Sequence, residues 1–213
     1  MMKKRGFRLP DGPALRCYLA CGVVADVLFF AIYYSMQWLS ARRADVHHLY
    51  FDWELLVPLA PWMAVIYLSM FILFIVPLFR IAEPEMRRLF RQIICATLVS
   101  GMIFLLFPSM SGFPRHVPDG YAAPFFKFLY QIDFAPYNAF PSLHVIYSGL
   151  ILMSLRDISS GYEKHLYTTW MILIALSTVL VHQHHLADVA GGAAVIWICR
   201  TFPPHEGMRE REI

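Results

Sequence analysis

The stretch HQHHLADVAGGAAVIWIC, residues 182–199, decides how this chain is read: three histidines and an aspartate lead directly into an apolar run. A second stretch repeats the form, with FPSLH (140–144) followed at once by the apolar segment 145–155. Ionisable groups are costly at membrane depth, so their placement at the mouths of apolar runs points to a functional site at the lipid surface. His184 and Asp188 are four residues apart, hence neighbours on one face if a helix begins at His184. A carboxylate beside an imidazole fixes its tautomer and supports a charge gained during reaction. That is the outline of an activated nucleophilic histidine.

The rest of the chain is as oily as these runs. Of 213 residues, 58% are hydrophobic and 15% charged, too apolar for an ordinary soluble domain of this size. An all-α polytopic membrane protein of six spans accounts for nearly all the apolar residues: 15–39, 55–79, 92–110, 141–155, 162–182 and 184–202. The first three are about 20 residues each, enough to cross a hydrocarbon core. The fourth is only about 22 Å long at ~1.5 Å per residue, so it is expected to extend past Pro141 or to sit beside a thinned site. A re-entrant hairpin is the alternative for the last two. No internal repeat or low-complexity segment divides the chain, which reads as one integral membrane domain over 1–213 with its motif-bearing core at about 92–202.

Lys and Arg set the orientation. With a cytoplasmic N-terminus, only Arg42, Arg43, Arg115 and Lys127 of the 18 basic residues fall outside. The others include Lys3, Lys4 and Arg5 at the start, Arg87, Arg88 and Arg91 in the first inner loop, and Arg209 and Arg211 at the end. Both termini are therefore expected in the cytoplasm and both histidine segments on the opposite face. The basic, then apolar N-terminus shows no small-x-small cleavage site, so an uncleaved first span is expected. The net charge of +3 is mostly this topology signal and gives no support to nucleic-acid binding. Cys17, Cys21, Cys95 and Cys199 read as small packing residues without metal or disulfide spacing. Asp26, within the first span, is expected to pair with another span.

Two outer loops carry the remaining signals. Residues 41–54 hold His47, His48 and Asp52 among aromatic residues suited to an interfacial belt. Residues 111–140, rich in Pro, Gly and aromatics, lead straight into FPSLH and are expected to form a lid or substrate platform. Their FFKFLY portion suits a short amphipathic helix on the membrane surface.

PSLH opening one helix, and HHLADVAGG opening another about 40 residues later, together resemble the phosphatidic acid phosphatase type 2 superfamily of membrane lipid phosphatases and phosphotransferases. The form AFPSLH…STVLVHQHHLADVAGG is most similar to the branch that includes fungal inositol phosphorylceramide synthase. The resemblance implies a six-helix bundle. It implies His184 as the nucleophile that forms a phosphohistidine, Asp188 as its orienting carboxylate and His144 as the general acid. In the second step His144 would activate water or an acceptor hydroxyl. It also implies phosphate binding by Ser142 and the first turn after Pro141, where a helix start attracts anions. Two departures stand out. Ser177-Thr178 replaces the usual Ser-Arg before the nucleophile, and the family's Lys…Arg-Pro motif has no clean match. Arg115 in GFPRH is the best stand-in for the missing clamp, and Asn138, Lys127 and His185 are further pocket candidates.

The expected function is thus hydrolysis of a membrane lipid phosphate or diphosphate, without cofactor or metal, at the non-cytoplasmic face. A bacterial inner membrane is the expected location. Transfer of a phosphorylated head group to an alcohol acceptor is the alternative. A non-catalytic lipid-binding or scramblase-like protein is a second one. A metal site from His182, His184, His185 and Asp188 is disfavoured, because on a helix these side chains diverge. No feature specifies an oligomeric state.

Overall fold

The computed structural model describes residues 7–132 and 135–201. The basic residues Lys3, Lys4, Arg5, Arg209 and Arg211, and the expected end of the last span at residue 202, lie outside the described residues. Within them the chain forms seven α-helices and no strand: α1 (Gly12–Ser40), α2 (Ala64–Arg80), α3 (Glu83–Leu106), α4 (Ala123–Ile132), α5 (Leu143–Asp157), α6 (Tyr162–Leu180) and α7 (Leu186–Thr201).

Three segments are long and apolar enough to cross a membrane: α1, residues 61–80 and α3. Their exposed apolar residues outside the cavity lining include Val24, Val27, Ile72, Ile75, Leu98 and Met102. A helical bundle that is oily outside as well as inside suits solvation by lipid. The other long helices have 15, 19 and 16 residues.

Several expected boundaries move, and the third span, expected at 92–110, is found as α3 at Glu83–Leu106. The second span was expected from residue 55, but the α-helix starts only at Ala64, after short 3₁₀ turns at Asp52–Leu56 and Pro61–Met63. Pro58 and Pro61 lack the backbone donors that a helix through this segment needs. The helix at PSLH does not extend past Pro141 either. Ser142 is its N-cap, accepting from the Val145 N–H at 3.4 Å, and the first helical residue is Leu143.

Helix α5 forms the centre, with Ile146, Leu150, Ile151, Leu152 and Leu155 sealed between α2, α3, α6 and α7. Helix α1 lies outside this group, packed along α3 and barely touching α2. A cleft between α1 and α2 is the result. At the end away from the histidines, buried Arg80 binds both Glu163 oxygens at 3.0 Å and Ser159 at 3.3 Å, while Arg200 pairs with Asp157 at 2.7 Å.

At the histidine end the loops are stitched to one another. His47 N–H donates to Pro108 O (2.8 Å), Met110 N–H to His47 O (3.0 Å) and Ser111 N–H to Pro136 O (3.0 Å). Segment 111–140 contains α4 at the place where an amphipathic helix was expected. Phe126 of α4 is buried in a small core with Met63, Ala64, Tyr67 and Val181, while Lys127 is exposed and Phe128, also exposed, joins the lining of the cavity described below.

Candidate active site

The site is made where the first turns of α5 and α7 meet. Ser142 N–H donates to Asp188 O at 3.0 Å, tying one helix start to the other. This closeness depends on two glycines. A Cβ on Gly192 would lie 3.1 Å from Ser142 O, and one on Gly191 would lie 2.3 Å from the Phe140 ring. The sequence GG after HHLAD is what lets α7 rest against the N-cap of α5.

His184 is not on α7, as the four-residue spacing had suggested. The helix starts at Leu186, and His184 stands in the turn before it, with its N–H bonded to Thr178 O at 3.1 Å. Asp188 still reaches it by pointing back from the first helical turn. Its Oδ2 accepts from the His185 N–H at 2.8 Å and lies 3.4 Å from Nδ1 of His184. The first of these is half of a capping box. The nearer partner of Nδ1 is the Ala139 carbonyl, at 3.1 Å. Both neighbours of Nδ1 are acceptors, which assigns it the ring proton and leaves the Nε2 lone pair bare.

That bare nitrogen faces Nδ1 of His144 at 3.3 Å. His144 is the second residue of α5, and its Nε2 is hydrogen-bonded to the hydroxyl of Tyr67 on α2. A continuous polar chain therefore runs Tyr67, His144, His184, then Ala139 and Asp188. His184 and Asp188 are both buried.

The histidine pair opens onto a cavity of about 750 Å³. Its lining runs from His144 and His184 down the α1–α2 cleft to Tyr18 and Phe90 and is mostly apolar and aromatic. From Tyr18 to Tyr34 along α1 is about 24 Å at ~1.5 Å per residue. Asp26 lines this cleft and forms no ion pair among the described residues, contrary to the expectation that it pairs with another span.

The other candidates divide. Arg115 lines the cavity and lays its guanidinium over the Tyr130 ring, 4.6 Å from the centroid. Asn138 also lines it, in the left-handed backbone region (φ 59°), with its amide donating to Tyr33 O at 2.8 Å. Ser142 is fully buried as a cap and is not part of the lining, and neither is Lys127 on the exposed side of α4. His185 is turned away. Its ring stacks between Tyr50 and Phe113, its Nε2 accepts from the Gly112 N–H at 3.1 Å, and its Nδ1 lies 3.3 Å from Glu54. His182 bonds to the Val57 carbonyl at 2.9 Å. Among the described residues no three His, Cys, Asp or Glu side chains are grouped to hold a metal ion.

Three participants had no clear sequence signal. Tyr67 is a lone hydroxyl inside an apolar run. The Ala139 carbonyl is invisible to any side-chain pattern. Glu54 reads as a loop acid, yet it is buried, accepting from Phe51 N–H (3.0 Å) and Leu186 N–H (2.9 Å). Burial pushes the Glu54 carboxyl upward, but those two N–H groups and the His185 ring outweigh it and hold it below its ordinary range. It caps α7 from a segment 132 residues away.

The described residues thus form an apolar helical bundle, compatible with a membrane protein, whose paired histidines face a largely apolar cleft. The family model described as PAP2 superfamily matches residues 45–202, and the chain belongs to that superfamily. Its members are in general phosphatases or phosphotransferases. No curated protein and no solved structure matches the chain.

Proposed function

We propose that this protein is a lipid phosphatase that hydrolyses a membrane lipid phosphate or diphosphate through a phosphohistidine on His184. The observation that carries the reading is the 3.3 Å approach of His144 Nδ1 to the bare Nε2 of His184, at the head of a lipid-sized apolar cleft. The lone pair on Nε2 is the nucleophile. Asp188 balances the charge the ring gains when phosphorus bonds to it. The Nδ1–H of His144 is placed to protonate the departing oxygen and afterwards to take a proton from water. Arg115 and the free first-turn N–H groups of α5 are the donors available to the phosphoryl oxygens. The lipid tail lies in the α1–α2 cleft.

The same reading has all six long helices cross the bilayer as a single domain, with its catalytic core at 92–202 and the histidines at the non-cytoplasmic face. The charge bias of the loops supports this, as do the charged pairs gathered at the opposite end. A bacterial inner membrane suits it. Cysteines placed at Tyr121 and Tyr162, both well exposed, test the orientation. An impermeant thiol reagent added from outside is expected to label the first and spare the second, and the reverse result would place the site in the cytoplasm.

Transfer to an alcohol acceptor remains the second reading, supported by Thr178 in place of arginine and by the resemblance to the inositol phosphorylceramide synthase branch. Purified protein offered a panel of lipid phosphates in EDTA, with and without acceptor alcohols, separates the two. Phosphate release without an acceptor is the expected result. A lipid product formed only with acceptor would mean transfer. No reaction with any substrate, with His184 and His144 dispensable in cells, would leave a lipid-binding role.

A further inference from the structure

The Tyr67 hydroxyl has no part in the reaction as written, yet it sits on the ring edge of His144 opposite His184. The proton positions along this chain follow from its partners. Nδ1 of His184 faces two acceptors and carries the proton, so its Nε2 is bare. The bond across 3.3 Å then needs a proton on Nδ1 of His144. A neutral imidazole holds only one, so Nε2 of His144 is also bare and accepts from the Tyr67 O–H. Each donor in the chain points the same way, from Tyr67 toward His184.

This order exposes a difficulty in using His144 alone. A neutral ring that gave its one proton to an alkoxide would become an imidazolate, itself a very strong base. A phenol, with an ordinary pKa of about 10, gives up a proton far more readily than an alcohol does. We infer, resting on the proposed phosphohistidine reaction, that Tyr67 and His144 act together as the acid, with Tyr67 resupplying the ring. As His184 Nε2 bonds to phosphorus and the bond from phosphorus to the lipid oxygen breaks, the Nδ1 proton of His144 passes to that oxygen. The Tyr67 proton moves to Nε2 of the same ring. His144 stays neutral with its proton on the other nitrogen, and Tyr67 becomes a phenolate. In the second step water attacks phosphorus and the nitrogen–phosphorus bond breaks, returning its electron pair to His184. A water proton goes to His144 Nδ1 and the Nε2 proton returns to Tyr67. Tyr67 acts through His144 and is a positioning and proton-supplying residue.

The test compares Tyr67→Phe with wild type on dodecyl phosphate, which leaves as an alkoxide, and on p-nitrophenyl phosphate, whose leaving group needs no proton. Rapid-quench phosphoenzyme formation from dodecyl phosphate is expected to slow about 10²-fold, while that from the nitrophenyl ester stays within about 3-fold. Equal losses on both substrates would mean a structural role, and no loss on either would mean no role; both overturn the relay. Absence of any phosphoenzyme in wild type would instead sink the phosphohistidine reading. Nitrogen-15 spectra of histidine-labelled protein in detergent decide the relay separately. His144 is expected protonated at Nδ1, with an Nε2 signal that moves in Tyr67→Phe. Protonation at Nε2 in wild type overturns the inference whatever the activity.

Discussion

The two sides of the cavity are held together by different forces. On the side of α5 and α7, polar groups are locked by directional bonds: Ser142 to Asp188, His185 N–H to Asp188, His184 to Ala139, Glu54 to the start of α7. On the side of α1 and α2, Phe29, Phe30, Phe71 and Phe74 line an open and largely apolar cleft, and the two helices share one directional tie, from the Tyr18 hydroxyl to Phe74 O at 2.7 Å. Hydrogen bonds demand one geometry, whereas burial of apolar area is non-directional. On the proposed reading, the first side fixes a reacting phosphorus and the second accepts many tails. A small displacement should be ruinous on one side and mild on the other.

The largest effect should come from His184→Ala. Loss of the nucleophile is expected to lower turnover by at least about 10³-fold and to abolish an acid-labile, base-stable phosphoenzyme. A phosphohistidine trapped in that variant would move the nucleophile elsewhere. Asp188→Asn should be milder, because the Ala139 carbonyl still holds the Nδ1 proton and only the charge is lost. A fall of about 10²-fold in kcat with little change in KM is expected. A fall as deep as that of His184→Ala would make Asp188 responsible for the tautomer as well. Gly192→Ala changes no reacting group but pushes on Ser142 O and Val145. About 10-fold lower kcat is expected from the shifted histidine pair, and wild-type kinetics would show that this side gives more easily than its bonds suggest.

Glu54 tests the same rigidity through stability. Its carboxyl is held below the ordinary carboxylate range in the folded protein. The stability it contributes is therefore complete above that range and fades as pH falls through the lowered value. Glu54→Gln should lower stability by about 1–2 kcal/mol at neutral pH and flatten part of the acid-side decline, read by thermal unfolding across pH. An unchanged acid limb would show that Glu54 does not hold α7. The smallest effect belongs to the open side. Val23→Trp, which narrows the cleft, should raise KM about 3-fold for a long-chain substrate and leave a short-chain one unchanged. Equal effects on both would put the tail elsewhere.

Much of the architecture was legible because it is local. Apolar runs of helical length each announce an element within a few residues of themselves. The six long helices and the amphipathic α4 stand near their expected places. Two of the misplaced boundaries are those where a local rule met a competing one: Pro58 and Pro61 cut back the start of α2, and Ser142 took the cap that a helix through Pro141 would have removed. The histidines were legible for the same reason, since a polar motif at the mouth of an apolar run is conspicuous. Their mutual approach was not, nor was the fact that Asp188 reaches His184 by bending back from a helix that starts after it.

The sequence by itself determined an apolar helical protein with histidines and an aspartate near two helix starts, because composition and periodicity act over one or two turns, and its paired motifs carried the resemblance to the PAP2 superfamily. Tertiary structure alone decided which groups the two imidazole rings face, that the Tyr67 hydroxyl meets His144, that Glu54 caps α7, and that α1 stands off from α2 to leave a cleft. The hydrogen bonds behind the first three of these join residues 40 to 132 apart in the chain. A hydrogen bond acts at about 3 Å whatever the separation in sequence, so it leaves no local pattern to read.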